Sequence, residues 1–443
     1  MSKKPPATLS ENLPKATQDL LARREKLLGP NMSTFYEEPL HLVKGEGVWV
    51  WDSDGRKYLD CYNNVPHVGH CHPKVVQAIC EQAGQFNSHT RYLHDGILDY
   101  VEKLTATFDN SLSSAIMTCT GSEANDVAIR IARAVTGKTG IIATDHTYHG
   151  NTIAVSQLSL TNPPPGGKWP NVKHVTAPDS YRPQGGVAGE AHAQALAAEI
   201  EMRIAELNES GHGFSALILC PYFANEGFPD LEADWFKPVV AAVRKAGGLI
   251  IADEVQPGFG RLGTHMWAHQ RNGFVPDIVT IGKPMANGHP VGGVVTRPDY
   301  LSAFRQTFRY FNTFGGNAVS CAAAMATLKV IEDEGHMANA FNVGRYAKQK
   351  LEGMASQHEC IGDVRGEGLF FGAEMVLDRS TKEPATAFTK KVANEMRRRG
   401  ILFNFLGIHY NTLKCRPPMP FSKDNADFLL DTLDEVLSTV DLV

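Results

Sequence analysis

Two apolar runs end in residues suited to covalent chemistry. The run Asp277-Ile-Val-Thr-Ile-Gly-Lys283 delivers an amine into the turn Pro284-Met-Ala-Asn-Gly288, and Gly247-Gly-Leu-Ile-Ile-Ala-Asp253 ends in a carboxylate. An ammonium at the end of an apolar strand is costly to desolvate. Such a site favours the neutral, nucleophilic amine that condenses with an aldehyde, as a Schiff-base lysine does. If the two strands end side by side, they hold one cofactor between an amine and an acid. Taken alone, a lysine after a strand is more often a solvated loop charge, so the pairing carries the reading. A third feature is Thr120-Gly121-Ser122-Glu123-Ala124-Asn125, which opens a helical pattern beginning at Asp126. Its backbone amides and the Ser122 hydroxyl meet the positive end of that helix, where a phosphate binds; a plain Ser N-cap is the simpler alternative. Tyr148-His149-Gly150 follows the run Ile141-Ile-Ala-Thr-Asp145 and places a flat ring either over a ligand or in the core.

The elements that must position these groups are legible as an alternation. Short β-branched runs at Ala115–Thr120, Gly140–Thr144, Ser215–Cys220, Leu249–Ala252, Ile278–Ile281 and Gly292–Thr296 are interleaved with helical patterns. This predicts an α/β domain with a mostly parallel central sheet, which binds ligands beyond the carboxyl ends of its strands. The stretches 162–167 and 183–187 read as surface loops. After Cys321 a long helical pattern, 322–334, and a strand candidate, Gly368-Leu-Phe-Phe-Gly-Ala-Glu374, indicate a second, smaller domain.

Composition narrows the function class. The 443 residues carry 43 basic and 48 acidic side chains, a formal charge of -5, with no block of like charge, so nucleic acid and anionic membrane are poor partners. No run is long and apolar enough to span a bilayer, and the start Met1-Ser-Lys-Lys-Pro-Pro lacks a secretion signal's apolar stretch. A cytoplasmic protein is expected. The eight cysteines lack CxxC spacing, which fits reduced thiols. Cys71 between His70 and His72 lacks the second ligand pair that a zinc site needs, so no metal is expected.

The combination of Asp253-Glu-Val-Gln256-Pro-Gly-Phe-Gly-Arg-Leu-Gly263 with Ile281-Gly-Lys283-Pro-Met-Ala-Asn-Gly-His-Pro resembles the signature of class III aminotransferases, fold-type-I enzymes that use pyridoxal 5'-phosphate (PLP). Within that class the chain is most similar to the ethanolamine-phosphate phospho-lyase branch, through the segments 58–73, Arg91-Tyr-Leu-His-Asp95 and Tyr310-Phe-Asn-Thr313-Phe-Gly-Gly-Asn317. The resemblance implies a large PLP-binding domain (81–324) and a discontinuous α+β small domain built from an N-terminal segment (1–80) and residues 325–443. It further implies that Asp253 bonds the pyridine nitrogen, that Val255 packs beneath the ring and that Gln256 contacts the phenolic oxygen. Gly121, Ser122 and His149 join this cofactor set. It assigns ring stacking to Tyr148, an interaction worth about 0.5–1.5 kcal/mol. Thr313 is implied to reach the phosphate of the neighbouring subunit, which predicts a homodimer with shared sites.

Lys283 then serves as covalent anchor and as the base that moves a proton at the substrate carbon next to nitrogen. Two outcomes diverge: amino transfer from a terminal amine or amino acid to a 2-oxo acid, or elimination of phosphate from an amino phosphate ester such as phosphoethanolamine. In Leu413-Lys414-Cys415-Arg416-Pro417-Pro418, Lys414 stands where class III enzymes that handle amino acids usually carry Arg. A lysine point charge suits phosphate at least as well as carboxylate. Against that, Cys220 replaces a usual Glu, and the segment 402–410 is bulkier and more apolar than the loop of the phospho-lyases. Tyr62, Tyr222, Phe223 and Phe405 are expected to wall a pocket for an apolar or extended amine, or else to lie in the core. Asn64 is a further substrate contact, and Glu226 a candidate gating carboxylate. Amino transfer is the favoured outcome. A silent binder or a racemase is the remaining class, and intact Lys283, Asp253 and Thr313 argue against silence.

Overall fold

The fully apolar runs build a sheet that is covered on both faces. In the computed structural model, which describes residues 13–161, 164 and 166–442, seven strands lie in the order Ser114–Thr118, Gly292–Thr296, Ile278–Ile281, Leu249–Asp253, Phe214–Leu219, Gly140–Thr144 and Val172–Val175. The extreme start of the chain and positions 162, 163 and 165 of the expected Pro/Gly loop lie outside the described residues. All neighbouring pairs are parallel except those made by Gly292–Thr296, which runs antiparallel to both of its neighbours. Successive side chains point to opposite faces. Ile141 and Ala143 therefore pack with the helix Gly121–Thr136, while Ile142 packs with the layer of Gly189–Glu209 and Lys237–Lys245. The strand Val172–Val175 was not predicted. It is an edge strand whose two central residues, Lys173 and His174, are only half-buried, so it lacks the continuous apolar run of the central strands.

The second unit joins distant parts of the chain. Leu59 and Asp60 pair in parallel with Ile401 and Leu402, which adds three N-terminal strands to a C-terminal one. A separate sheet runs Ile361–Glu367, Phe370–Asp378, Thr412–Cys415, Asn404–Leu406. One core binds them: Leu59 and Cys61 share a cluster with Leu351, Phe371, Phe388 and Leu433. The strand expected at Gly368–Glu374 is observed at Phe370–Asp378, and the helix expected at 322–334 at Ala318–Asp333. The expected domain boundaries need correction. Both 80/81 and 324/325 fall inside continuous helices, Pro73–Gln85 and Ala318–Asp333. Val75 of the first and Leu328 of the second share the core of the large sheet with Val279 and Ile281. The physical divisions therefore lie before the first helix and after the second.

Candidate active site

Five chain segments leave the carboxyl ends of the large sheet at one edge and converge there. Thr118 leads to Gly121, Thr144 to Tyr148, Leu219 to Cys220, Asp253 ends its own strand and Ile281 leads to Lys283. The antiparallel strand begins at the same edge, so the preceding residues Gly288–Val291 close one wall. The result is a cavity of about 330 Å³ lined by Gly121, Ser122, Tyr148, Asp253, Gln256 and Lys283 among others.

Asp253 is buried and heavily solvated by protein. Its Oδ2 accepts from Asn125 Nδ2 at 2.9 Å and lies 2.7 Å from His149 Nδ1, while Oδ1 accepts from the Val255 N–H at 3.0 Å. Burial alone would raise its pKa, but the bonds from His149, Val255 and Asn125 outweigh it and hold the carboxyl below its usual range. An ionised carboxylate only accepts, so His149 donates through Nδ1 and its Nε2 faces Thr147 Oγ1 at 2.9 Å. Three donors occupy three of the roughly four acceptor positions of a carboxylate, which leaves one for a cationic N–H in the cavity.

Lys283 projects into the open floor of the cavity, so its side chain touches cavity solvent while protein surrounds it on the other sides. Burial and then the Arg416 charge push its ammonium pKa below that of an ordinary lysine, although Asp253 pulls the other way. The direction is the one the sequence reading expects of a nucleophilic amine.

The phosphate cup is built by close approach. A Cβ on Gly121 would lie 2.9 Å from Val255 Cγ2, and one on Gly150, at φ +138°, would lie 2.4 Å from Ser122 Oγ. Thr120 Oγ1 caps the helix by accepting from the Glu123 N–H at 3.1 Å. The start of Gly121–Thr136 thus lines the cavity at Thr120, Gly121 and Ser122, where a helix N-terminus suits an anion. Tyr148 is 45% exposed, with its ring face uncovered at the cavity wall. A glycine-lined cradle, an ionised acid with a spare acceptor position and an amine of lowered pKa fit PLP. Gly121, Ser122, Tyr148, His149, Asp253, Val255, Gln256 and Lys283 would hold it.

Tyr62, Asn64, Lys414 and Arg416 do not line the cavity itself; Asn64 and Arg416 bond to Gln256, which does. Lys414 and Arg416, 3% and 4% exposed, have no carboxylate partner among the described residues and lie over the rings of Tyr62 and Phe370. Burial and then the Arg416 charge push Lys414 well below a normal lysine. Arg416 donates to Gln256 Oε1, whose amide Nε2 donates to Asn225 Oδ1 at 2.9 Å. Asn64 donates to the Gln256 carbonyl at 3.3 Å, and its own Oδ1 is buried without a partner.

Three expectations for the substrate pocket are revised. Tyr222 is buried against Phe228 and Phe370 and donates to the Phe370 carbonyl, and Phe223 packs among Trp235 and Phe236, so both belong to the core. Phe405 packs against the small-domain core and does not line the cavity. Glu226 is held inside the scaffold, where it accepts from Thr144 Oγ1 at 2.6 Å and from the Asn225 N–H at 3.1 Å. Thr313 is exposed and lies outside the lining of its own chain's cavity. Sequence reasoning missed Asn125, which bridges Asp253 and Thr280 Oγ1, and Phe370; Asn125 stands in the Gly121 motif, but its target is far away in the chain. His70 faces Asp60 and His72 faces Glu334, on different elements.

The aminotransferase class-III family profile matches residues 33–437. An alanine–glyoxylate aminotransferase 2-like protein of Drosophila melanogaster is 40% identical over 97% of this chain and 89% of its own. An ethanolamine-phosphate phospho-lyase homolog of Caenorhabditis elegans is 35% identical over 98% and 96%. Among solved structures, a phospholyase from Arthrobacter in complex with phosphoethanolamine superposes with a TM-score of 0.92 at 42% identity, covering 96% of this chain and all of that one.

Proposed function

The chain belongs to the class-III aminotransferase family, a family of PLP enzymes, and from that premise we propose that it transfers an amino group from a terminal amine or amino acid to a 2-oxo acid. Bound in this cavity, PLP supplies an aldehyde for the amine and a ring that draws electrons from the adjacent carbon. The rest falls to the protein. Asp253, fixed by His149 and Asn125, keeps a proton on the ring nitrogen. Tyr148 would cover one ring face and Val255 would support the other. Lys283, its ammonium pKa lowered by burial and then by the Arg416 charge, would take and return the proton on the substrate carbon that bears nitrogen. The observation offered for amino transfer is the Arg416 guanidinium, which bonds the cavity-lining Gln256 and has no carboxylate partner among the described residues, because donor amino acid and acceptor oxo acid both carry a carboxylate for it.

One observation favours a second reading. Besides burial, the Arg416 charge lowers the Lys283 pKa, and Arg416 and Lys283 together lower that of Lys414, while no carboxylate pairs with Lys414 or Arg416 among the described residues. A phosphate dianion offsets that charge better than a single carboxylate. Phosphate elimination from an amino phosphate ester is therefore the alternative, in line with the phosphoethanolamine bound by the similar Arthrobacter enzyme. Incubating the purified holoenzyme with phosphoethanolamine, with and without a 2-oxo acid, separates the two. Amino acid formation without phosphate release supports amino transfer; phosphate release in the absence of an oxo acid overturns it.

The proposed assembly is a homodimer in which Thr313 completes the neighbouring site. Supporting this, Phe311 and Phe314 flank the exposed Thr313, Arg91 lies 3.8 Å over the Phe311 ring, and Leu93 next to this patch is 99% exposed. An apolar patch of this kind marks an interaction surface. No described helix is long and apolar enough to cross a membrane. A cytoplasmic location is proposed on the eight free cysteines, of which Cys71 and Cys80 are exposed.

A further inference from the structure

Glu123 poses a question that the cofactor site alone does not answer. It sits one residue after Ser122, at a helix start that favours an anionic ligand, where a free carboxylate would repel phosphate. Both of its oxygens are instead engaged with donors. Oε2 accepts from the Cys119 N–H at 2.9 Å, and Oε1 accepts from Asn312 Nδ2 and from the Tyr310 hydroxyl at 3.3 Å. Asn312 in turn turns the chain around Thr313, because its Oδ1 accepts from the N–H groups of Phe314 at 3.1 Å and Gly315 at 2.9 Å. The turn is seated tightly: a Cβ on Gly315 would lie 2.6 Å from the Met117 carbonyl, and one on Gly316 2.5 Å from Met117 Cβ. The loop that carries Thr313 is thus pinned to the same strand end and helix start that form this chain's own phosphate cup.

We propose that Glu123 is a positioning residue that, through Asn312, fixes the loop presenting Thr313 to the neighbouring subunit's phosphate cup, and so ties each cup to the one across the interface. The proposal rests on the shared-site reading above. It makes Glu123 and Asn312 determinants of cofactor retention in the partner's site, although neither needs to touch the cofactor there.

The test is the rate at which holoenzyme releases PLP on dilution into a cofactor-scavenging buffer, measured for T313A, N312A, E123Q and the double variant E123Q/T313A. Cofactor loss about tenfold faster is expected for each single variant, the scale of one hydrogen bond to a charged group. The double variant should be no faster than T313A, and the melting temperature of the cofactor-free forms should stay close to that of the parent. Wild-type release from E123Q and N312A beside faster release from T313A overturns the proposal while leaving the shared site intact. So do multiplicative rates in the double variant, which would mean that Glu123 acts separately from Thr313. Unchanged release from T313A overturns the shared-site reading, and this proposal with it.

Discussion

At the scale of single residues, the protonation states of Asp253 and Lys283 govern the chemistry. Asn at 253 removes the ionised acceptor while keeping the shape, and kcat/KM is expected to fall by about 100-fold or more; a variant within twofold of the parent would contradict the assignment. Lys283 follows from its depressed pKa. Between that value and the 10.5 of an ordinary lysine, the folded cofactor-free chain binds fewer protons than the unfolded one. Stability from this group therefore rises with pH across that window and is lost as pH falls through it. The same shift makes Lys283 titrate early: its acylation in cofactor-free protein should have a midpoint below 10.5, and a midpoint at or above 10.5 would contradict the account. The two residues were legible in the sequence because each follows an apolar run and stands at a strand's carboxyl end, Asp253 buried and Lys283 open to the cavity. The bonds that tune them were not: His149 and Asn125 reach Asp253 across 104 and 128 positions, and no local spacing encodes that.

At the scale of elements, the cup depends on backbone approach between segments. Ala at position 150 would both adopt a φ that L side chains avoid and drive a methyl into Ser122. Replacing Gly150 by Ala is expected to weaken PLP retention at least tenfold, about 1.4 kcal/mol, with a smaller effect on the melting temperature of the cofactor-free form. Unaltered retention would show that the Ser122–Gly150 contact does not shape the cup. The central strands were legible as buried β-branched runs, and the strand carrying Lys283 was predicted at its observed limits, Ile278–Ile281. The half-polar edge strand Val172–Val175 was not, because its apolar residues are only two. Tyr222 and Phe223 illustrate a related limit. Aromatics beside a strand end suit a pocket and a core equally well, and here the turn after Cys220, with Phe223 at φ +45°, folds both rings inward.

At the scale of the whole molecule, the two units share one chain in an order that the sequence only partly discloses. Helical periodicity runs unbroken through 80 and 324, so the expected boundaries cut two helices that belong to the large unit. The proposed sharing of sites between subunits yields a complementation experiment. A K283A subunit lacks the anchor and a T313A subunit lacks the donated hydroxyl. In the proposed assembly a hybrid dimer restores one complete site, because there Lys283 of one subunit meets Thr313 of the other. Refolded equimolar mixtures should recover about a quarter of parental activity at limiting PLP, from half hybrids with one good site each. No recovery above the sum of the two variants would place Thr313 outside the neighbouring site.

The most direct test of the central claim is borohydride reduction of the holoenzyme followed by peptide mass analysis. The expected result is a single pyridoxyl adduct on Lys283, abolished in K283A. An adduct on another lysine such as Lys414, or none at all, would contradict the account.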